Sequence, residues 1–151
     1  MRITCMTMLV LCVAAITAVT GTPALAQSAA DSSAIKQAAL DYIEGWYAGD
    51  AERMERAVHP ELAKRIVNTN PANGRSSLGQ QSAMTLVSNT RSRRGQETPV
   101  DQQRKDFRIT DIFGNIASAR VDAQTWVDFL QLAKWNGRWV IVNVLWELRP
   151  Q

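Results

Sequence analysis

The sequence predicts an α+β domain in which helices come first and an antiparallel sheet follows. Two observations carry the prediction. Apolar residues between Ile35 and Val58 recur at helical spacing, and from Phe107 onward apolar and aromatic runs are separated by Gly114-Asn115 and Asn136-Gly137, dipeptides suited to tight turns between antiparallel neighbours. Length supports the reading, since a chain of 151 residues is enough for one domain with one core.

The first residues are expected to be removed. Met1-Arg2 supplies a short positive start, residues 6–19 (MTMLVLCVAAITAV) an apolar stretch, and Pro23-Ala24-Leu25-Ala26 the small-residue pattern of a signal-peptidase site. Residues 1–26 are therefore expected to be a signal peptide, which places the mature chain in a bacterial periplasm or outside the cell. The apolar run is shorter than the roughly 20 residues that span a bilayer, so no membrane attachment is expected after cleavage. Cys5 and Cys12 both lie in this leader, which leaves the mature chain with no thiol to pair or to ligate a metal.

Charge and motif content exclude several functions. Seventeen basic residues against fourteen acidic ones are too evenly balanced to call for nucleic acid. The one basic concentration, Arg91, Arg93, Arg94, Arg104 and Lys105, reads as a solvated loop. A single histidine, His59, with no mature cysteine and no clustering of acids argues against a metal centre. The glycines lack phosphate-loop spacing and no serine sits in a G-x-S-x-G context, so no cofactor and no acyl-transfer chemistry are expected.

Residues 27–33 are small and polar and are expected to be a loose N-terminus, with the domain spanning 34–150. In the first helix Ile35, Ala39, Tyr42, Ile43 and Trp46 form an apolar stripe, and Gly49-Asp50 stops it. Asp50 suits the N-cap of a short second helix whose inward positions are Met54, Ala57 and Val58, ended by His59-Pro60. A further turn is expected over 61–65 and a short strand over 65–68. Residues 70–77 have loop composition. A third helix over 78–90 rests on Ala83, Met84, Leu86 and Val87. Strands are then expected over 107–113, 115–125, 126–135 and 138–148, with a bend or a bulge near Thr125.

Placing Asn136-Gly137 in the turn of the last hairpin sets its two faces. One face carries Trp126, Asp128, Leu130 and Leu132 opposite Ile141, Asn143, Leu145 and Glu147. The other carries Val127, Phe129, Gln131 and Ala133 opposite Val140, Val142, Val144 and Trp146. Both are largely apolar, whereas a sheet with one wet side alternates cleanly, so each face needs a cover. The first, with polar groups among apolar ones, has the character of a small-molecule pocket under the helices. The second, through Val127, Phe129, Val142, Val144 and Trp146, is expected to be a dimer interface.

The segments Tyr42-Ile43-Glu44-Gly45-Trp46-Tyr47-Ala48-Gly49-Asp50, His59-Pro60, Val127-Asp128-Phe129-Leu130 and Asn136-Gly137-Arg138-Trp139-Val140-Ile141-Val142-Asn143 together resemble the putative lumazine-binding family of the nuclear transport factor 2-like (NTF2-like, SnoaL and ketosteroid isomerase-like) superfamily. The resemblance covers nearly all of the mature chain. It implies a cone-shaped fold, three N-terminal helices packed on a strongly bent antiparallel sheet, with a pocket between the concave face and the long first helix and a homodimer through the other face.

Three functions follow as expectations. The first is binding of a small, mostly apolar molecule by an exported homodimer, without catalysis, Asp128 and Asn143 orienting the ligand and Tyr42, Trp46 and Trp126 forming walls. The second, implied by the superfamily's isomerases and dehydratases, is acid/base catalysis by Asp128 with His59 or Tyr42 assisting. The third is a protein-interaction module that uses the apolar sheet face.

Overall fold

The computed structural model describes residues 23–150. The expected leader lies outside the described residues except for its last four, which form the start of a helix. That helix, α1, runs over Pro23–Ala48, so residues 27–33 are helical instead of loose. The reason is in the stripe: Asp31 stands four residues before Ile35, and Asp31, Ile35, Ala38, Ala39, Tyr42 and Ile43 are all buried at the spacing of one helix face. Gly49 closes the helix with φ +69°, a left-handed conformation that glycine adopts without strain, and the Asp50 amide donates back to the Gly45 carbonyl at 2.9 Å.

Helix α2, Ala51–Ala57, starts where Asp50 accepts a hydrogen bond from the Arg53 amide, and buries Met54 and Ala57 against α1. The chain then departs from expectation. Strand β1 begins at once and extends over Val58–Thr69, where a turn and a short strand are predicted. A tight turn in which the Gly74 amide reaches the Asn70 carbonyl at 2.8 Å leads into β2, Ser76–Ser82. Helix α3 is therefore shorter than predicted, Ala83–Arg91, and Ser82 caps it by accepting from the Thr85 amide. After the basic loop come β3 (Asp106–Phe113), β4 (Ile116–Asp122), β5 (Trp126–Trp135) and β6 (Arg138–Leu148). The undecided region near Thr125 is a connection between β4 and β5, bridged by the Ala123 amide and the Trp126 carbonyl.

The six strands form one sheet in the order β2-β1-β6-β5-β4-β3. It is mixed, not purely antiparallel: β1 lies parallel to β6, with Lys64 beside Val144. The helices cover one face, where Leu130, Leu132, Ile141, Val121 and Ala119 join the core.

The β5–β6 hairpin turns as predicted, on Asn136 (φ 48°) and Gly137 (φ 79°). Its register holds from Trp135↔Arg138 to Leu132↔Ile141 and then slips by one, because Gln131 pairs with Asn143 and leaves Val142 as an extra residue. This bulge exchanges the faces of the β6 residues beyond it. Val144 and Trp146 turn inward, beneath the helices, and leave the outer face on which a dimer interface is expected. Asn143 turns outward, where its side chain donates to Gln131 Oε1 at 3.1 Å, and so is not on the pocket face. The outer face instead presents Phe113, Ile116, Phe129 and Leu145, each more than half exposed.

Candidate functional site

Beneath the helices four side chains converge from three elements. Tyr42 comes from the buried stripe of α1. Lys64 comes from β1, where alternation sends Leu62 and Lys64 inward, and Trp126 and Asp128 come from one face of β5. Asp128 is completely buried, and donors surround its carboxylate. Lys64 Nζ donates to Oδ1 at 2.6 Å, while Trp126 Nε1 at 2.7 Å and Tyr42 Oη at 3.2 Å donate to Oδ2. Lys64 Nζ also donates to Tyr42 Oη at 2.5 Å, so the phenol relays one hydrogen bond into the next. A buried acid with an ammonium and two neutral donors is the compensated arrangement that low-dielectric surroundings demand.

Burial raises the Tyr42 pKa well above its ordinary value, and the negative charge and hydrogen bond of Asp128 push it the same way. Tyr42 is therefore a neutral hydrogen-bonding group, not a source of phenolate. Tyr47, one turn on, has its hydroxyl accepting from the Gln124 amide at 3.2 Å, and its pKa is raised, chiefly by burial.

Above the cluster is a cavity of about 230 Å³, bounded by Tyr42, Trp46, Lys64, Gln81, Trp126 and Trp146 among others. Its volume falls below the 300–1,000 Å³ usual for drug-sized ligands, so it suits a small molecule. The walls are aromatic: Trp46 meets Trp126 edge to face with centroids 6.4 Å apart, and Lys64 Nζ lies 5.0 Å from the Trp146 ring centroid. Asp128 lies behind this lining and does not border the space.

The predicted pocket residues thus divide. Tyr42, Trp46 and Trp126 line the cavity, Asp128 supports it from beneath, and Asn143 lies on the opposite face of the sheet. His59 stands apart. Its Nδ1 accepts from the Glu61 amide at 3.1 Å and its ring packs edge-on to Trp135, centroids 4.9 Å apart. Trp135 is seven residues from Asp128 along β5, roughly 20 Å at strand rise. Lys64, Gln81 and Trp146 are cavity residues the sequence reading did not place there. For Lys64 the available signal was the alternation Leu62-Lys64-Ile66, which puts a lysine on a strand's inward side.

Residues 30–147 match a family model described as "Putative lumazine-binding". The chain belongs to that family. No curated protein matches it. Solved structures similar to it include an NTF2-like protein of unknown function from Shewanella baltica OS155, at 22% identity over 82% of this chain and 97% of the other, TM-score 0.63. Another is an NTF2-like protein with a cystatin-like fold from Novosphingobium aromaticivorans, at 13% identity over 89% and 92%, TM-score 0.65. A third, from Silicibacter pomeroyi DSS-3 and also of unknown function, shares 17% identity over 81% and 98%, TM-score 0.62. At such identities the likeness establishes the NTF2-like fold.

Proposed function

We propose that this is an exported protein that holds a small, mostly apolar molecule in the cavity between α1 and the concave sheet face, without acting on it chemically, and that it works as a homodimer. The observation that carries the binding reading is a cavity walled by three tryptophans over a carboxylate that is already fully engaged. Aromatic walls supply stacking area at little entropic cost, while a few fixed polar groups orient what enters. The family's description agrees with a ligand-binding role. Export rests on the leader pattern of residues 1–26.

Acid/base catalysis is poorly served by the same geometry. A general base must come within hydrogen-bond reach of the proton it takes. Asp128 is fully buried behind the cavity lining, three donors occupy it, and His59 is at the other end of β5. The outer sheet face supports a protein partner, here a second copy: Phe129 is 52% and its cross-strand neighbour Leu145 54% exposed, and adjoining exposed apolar side chains mark interaction surfaces.

Native mass spectrometry of the mature protein, purified from its own secretion route, tests both parts. A dimer that retains a small molecule is the expected result. A chain that never carries a ligand from its source would overturn the binding reading, and a monomer would overturn the assembly. For the latter, Phe129→Glu is expected to convert dimer to monomer in sedimentation without changing the circular dichroism spectrum.

A further inference from the structure

The basic loop between α3 and β3, expected to be merely solvated, has a buried contact. A single tight turn within it, Arg94–Glu97, lies against the last turn of α1 through Gly95, which is buried. A Cβ placed on Gly95 would stand 2.1 Å from the Trp46 carbonyl oxygen, 2.6 Å from the carbonyl carbon and 2.7 Å from Cδ1 of the Trp46 indole. No side chain fits there. The φ of Gly95 is not in the left-handed region, so the glycine is needed for close approach and not for backbone freedom. Two neighbours hold the turn in place. Arg93, just before it, has φ 61°, a conformation that a non-glycine residue keeps when its surroundings impose it. Gln96 donates from Nε2 to the Ala48 carbonyl at 2.8 Å, taking up one of the carbonyls that a helix end leaves without an intrahelical donor.

Trp46 is the cavity wall that this turn backs. Its partner Trp126 is fixed by the hydrogen bond to Asp128. Trp46 is fixed by what it packs against, Trp126 with rings 6.4 Å apart at 83° and Gly95 at its Cδ1 edge. We infer that Gly95 is a positioning residue for the cavity: by letting the turn rest on Trp46, it sets where that wall stands and so the size of guest the cavity admits. The consequence for the guest rests on the binding reading above, whereas the placement of Trp46 is testable with no guest at all. A methyl group at Gly95 cannot be accommodated by α1, whose Trp46 carbonyl is held in the last turn by the Gly49 amide at 3.2 Å. The turn must lift instead, and the indole loses its backing.

Two measurements separate these claims. Close indoles couple their transitions, so the Trp46–Trp126 pair contributes a couplet to the circular dichroism spectrum, identified as the signal that Trp46→Phe removes. In Gly95→Ala that signal should be lost while a cooperative melting transition remains. Gln96→Ala, which keeps the glycine and removes only the tie to Ala48, should weaken it less. Guest size is then read by quenching of tryptophan emission with naphthalene and the longer biphenyl. Loss of one aromatic contact should weaken naphthalene about threefold to tenfold in Gly95→Ala, and biphenyl less or not at all, so that the preference moves toward the larger probe. A couplet and a preference both unchanged in Gly95→Ala would overturn the inference, as would equal losses for the two probes, the result of a purely structural role. If Gly95→Ala does not fold, Gln96→Ala decides, and a couplet and preference identical to those of the parent would overturn it. A parent that binds neither probe, with the couplet still lost in Gly95→Ala, would overturn the binding reading and leave the positioning of Trp46 standing.

Discussion

Two carboxylates in this protein are held by nearly the same partners and face different futures. Asp128 takes Lys64 at 2.6 Å and the Trp126 N–H at 2.7 Å. Asp31 takes Lys134 at 2.8 Å and the Trp139 N–H at 2.9 Å. Both lie along α1, one near its start and the other beside Tyr42, about 16 Å further on at helical rise. The difference is what surrounds them. Neither Asp31 nor either of these partners borders the cavity, and the group ties the first turns of α1 to the β5–β6 hairpin. The Asp128 group forms a floor with space above it. An acid, an ammonium and an indole make a structural tie where packing is complete, and a recognition surface where it is not.

Exposure separates them energetically, and truncation should show it. The Lys64 side chain is 8% exposed and that of Asp128 0%, against 25% for Lys134 and 12% for Asp31. Asp128→Leu leaves an ammonium, an indole N–H and a phenol without their acceptor in a place water reaches poorly. The expected loss is about 3–5 kcal/mol in urea unfolding, with much of it recovered when Lys64→Met is added. Asp31→Ala frees a lysine that can turn to solvent, so about 1–3 kcal/mol is expected. Equal losses at the two sites would break the comparison, as would a double variant no more stable than Asp128→Leu.

The same contrast marks how far the sequence could be read. Tyr42, Trp46, Trp126 and Asp128 were legible because helical and strand periods place them on inward faces without help from distant contacts. Lys64 was not, since residues 61–65 (ELAKR) are made of good helix formers, and only pairing with β2 and β6 draws them into a strand. β2 itself, SSLGQQS, has no apolar alternation to announce it. The turn at Asn136-Gly137 set the hairpin register correctly as far as Leu132, but the bulge at Val142 has no compositional signature, and one extra residue moved Val144, Trp146 and Asn143 to the faces opposite those expected. Asp31 falls in a stretch whose composition predicts a loose terminus, because a lone acid among Ser and Ala carries no apolar signal. Lys134 and Trp139, which hold it against the hairpin, lie more than a hundred residues away.

The smallest effect expected is invisible at neutral pH and appears only in alkali. The chain has two tyrosines, and the fold raises the pKa of both above 10.0, Tyr42 more strongly than Tyr47. Because the folded state holds these protons at a pH where the unfolded state has released them, stability is unaffected below about pH 10 and falls as pH rises from there through the folded values. Phenolate absorbance of the native protein should therefore show no step near pH 10. It should rise later, with the Tyr42 share appearing together with loss of the circular dichroism signal. In Tyr47→Phe the whole phenolate signal should coincide with unfolding, whereas in Tyr42→Phe it should begin earlier, because Tyr47 is less deeply held. Asp128→Asn sharpens the test further. It removes the negative charge that is the second cause of the Tyr42 shift but not the burial that is the first, so phenolate should form at lower pH than in the parent. A Tyr42 that titrated freely at its ordinary value would mean that water reaches the floor of the cavity, and the distinction between the two carboxylate groups would then be one of position alone.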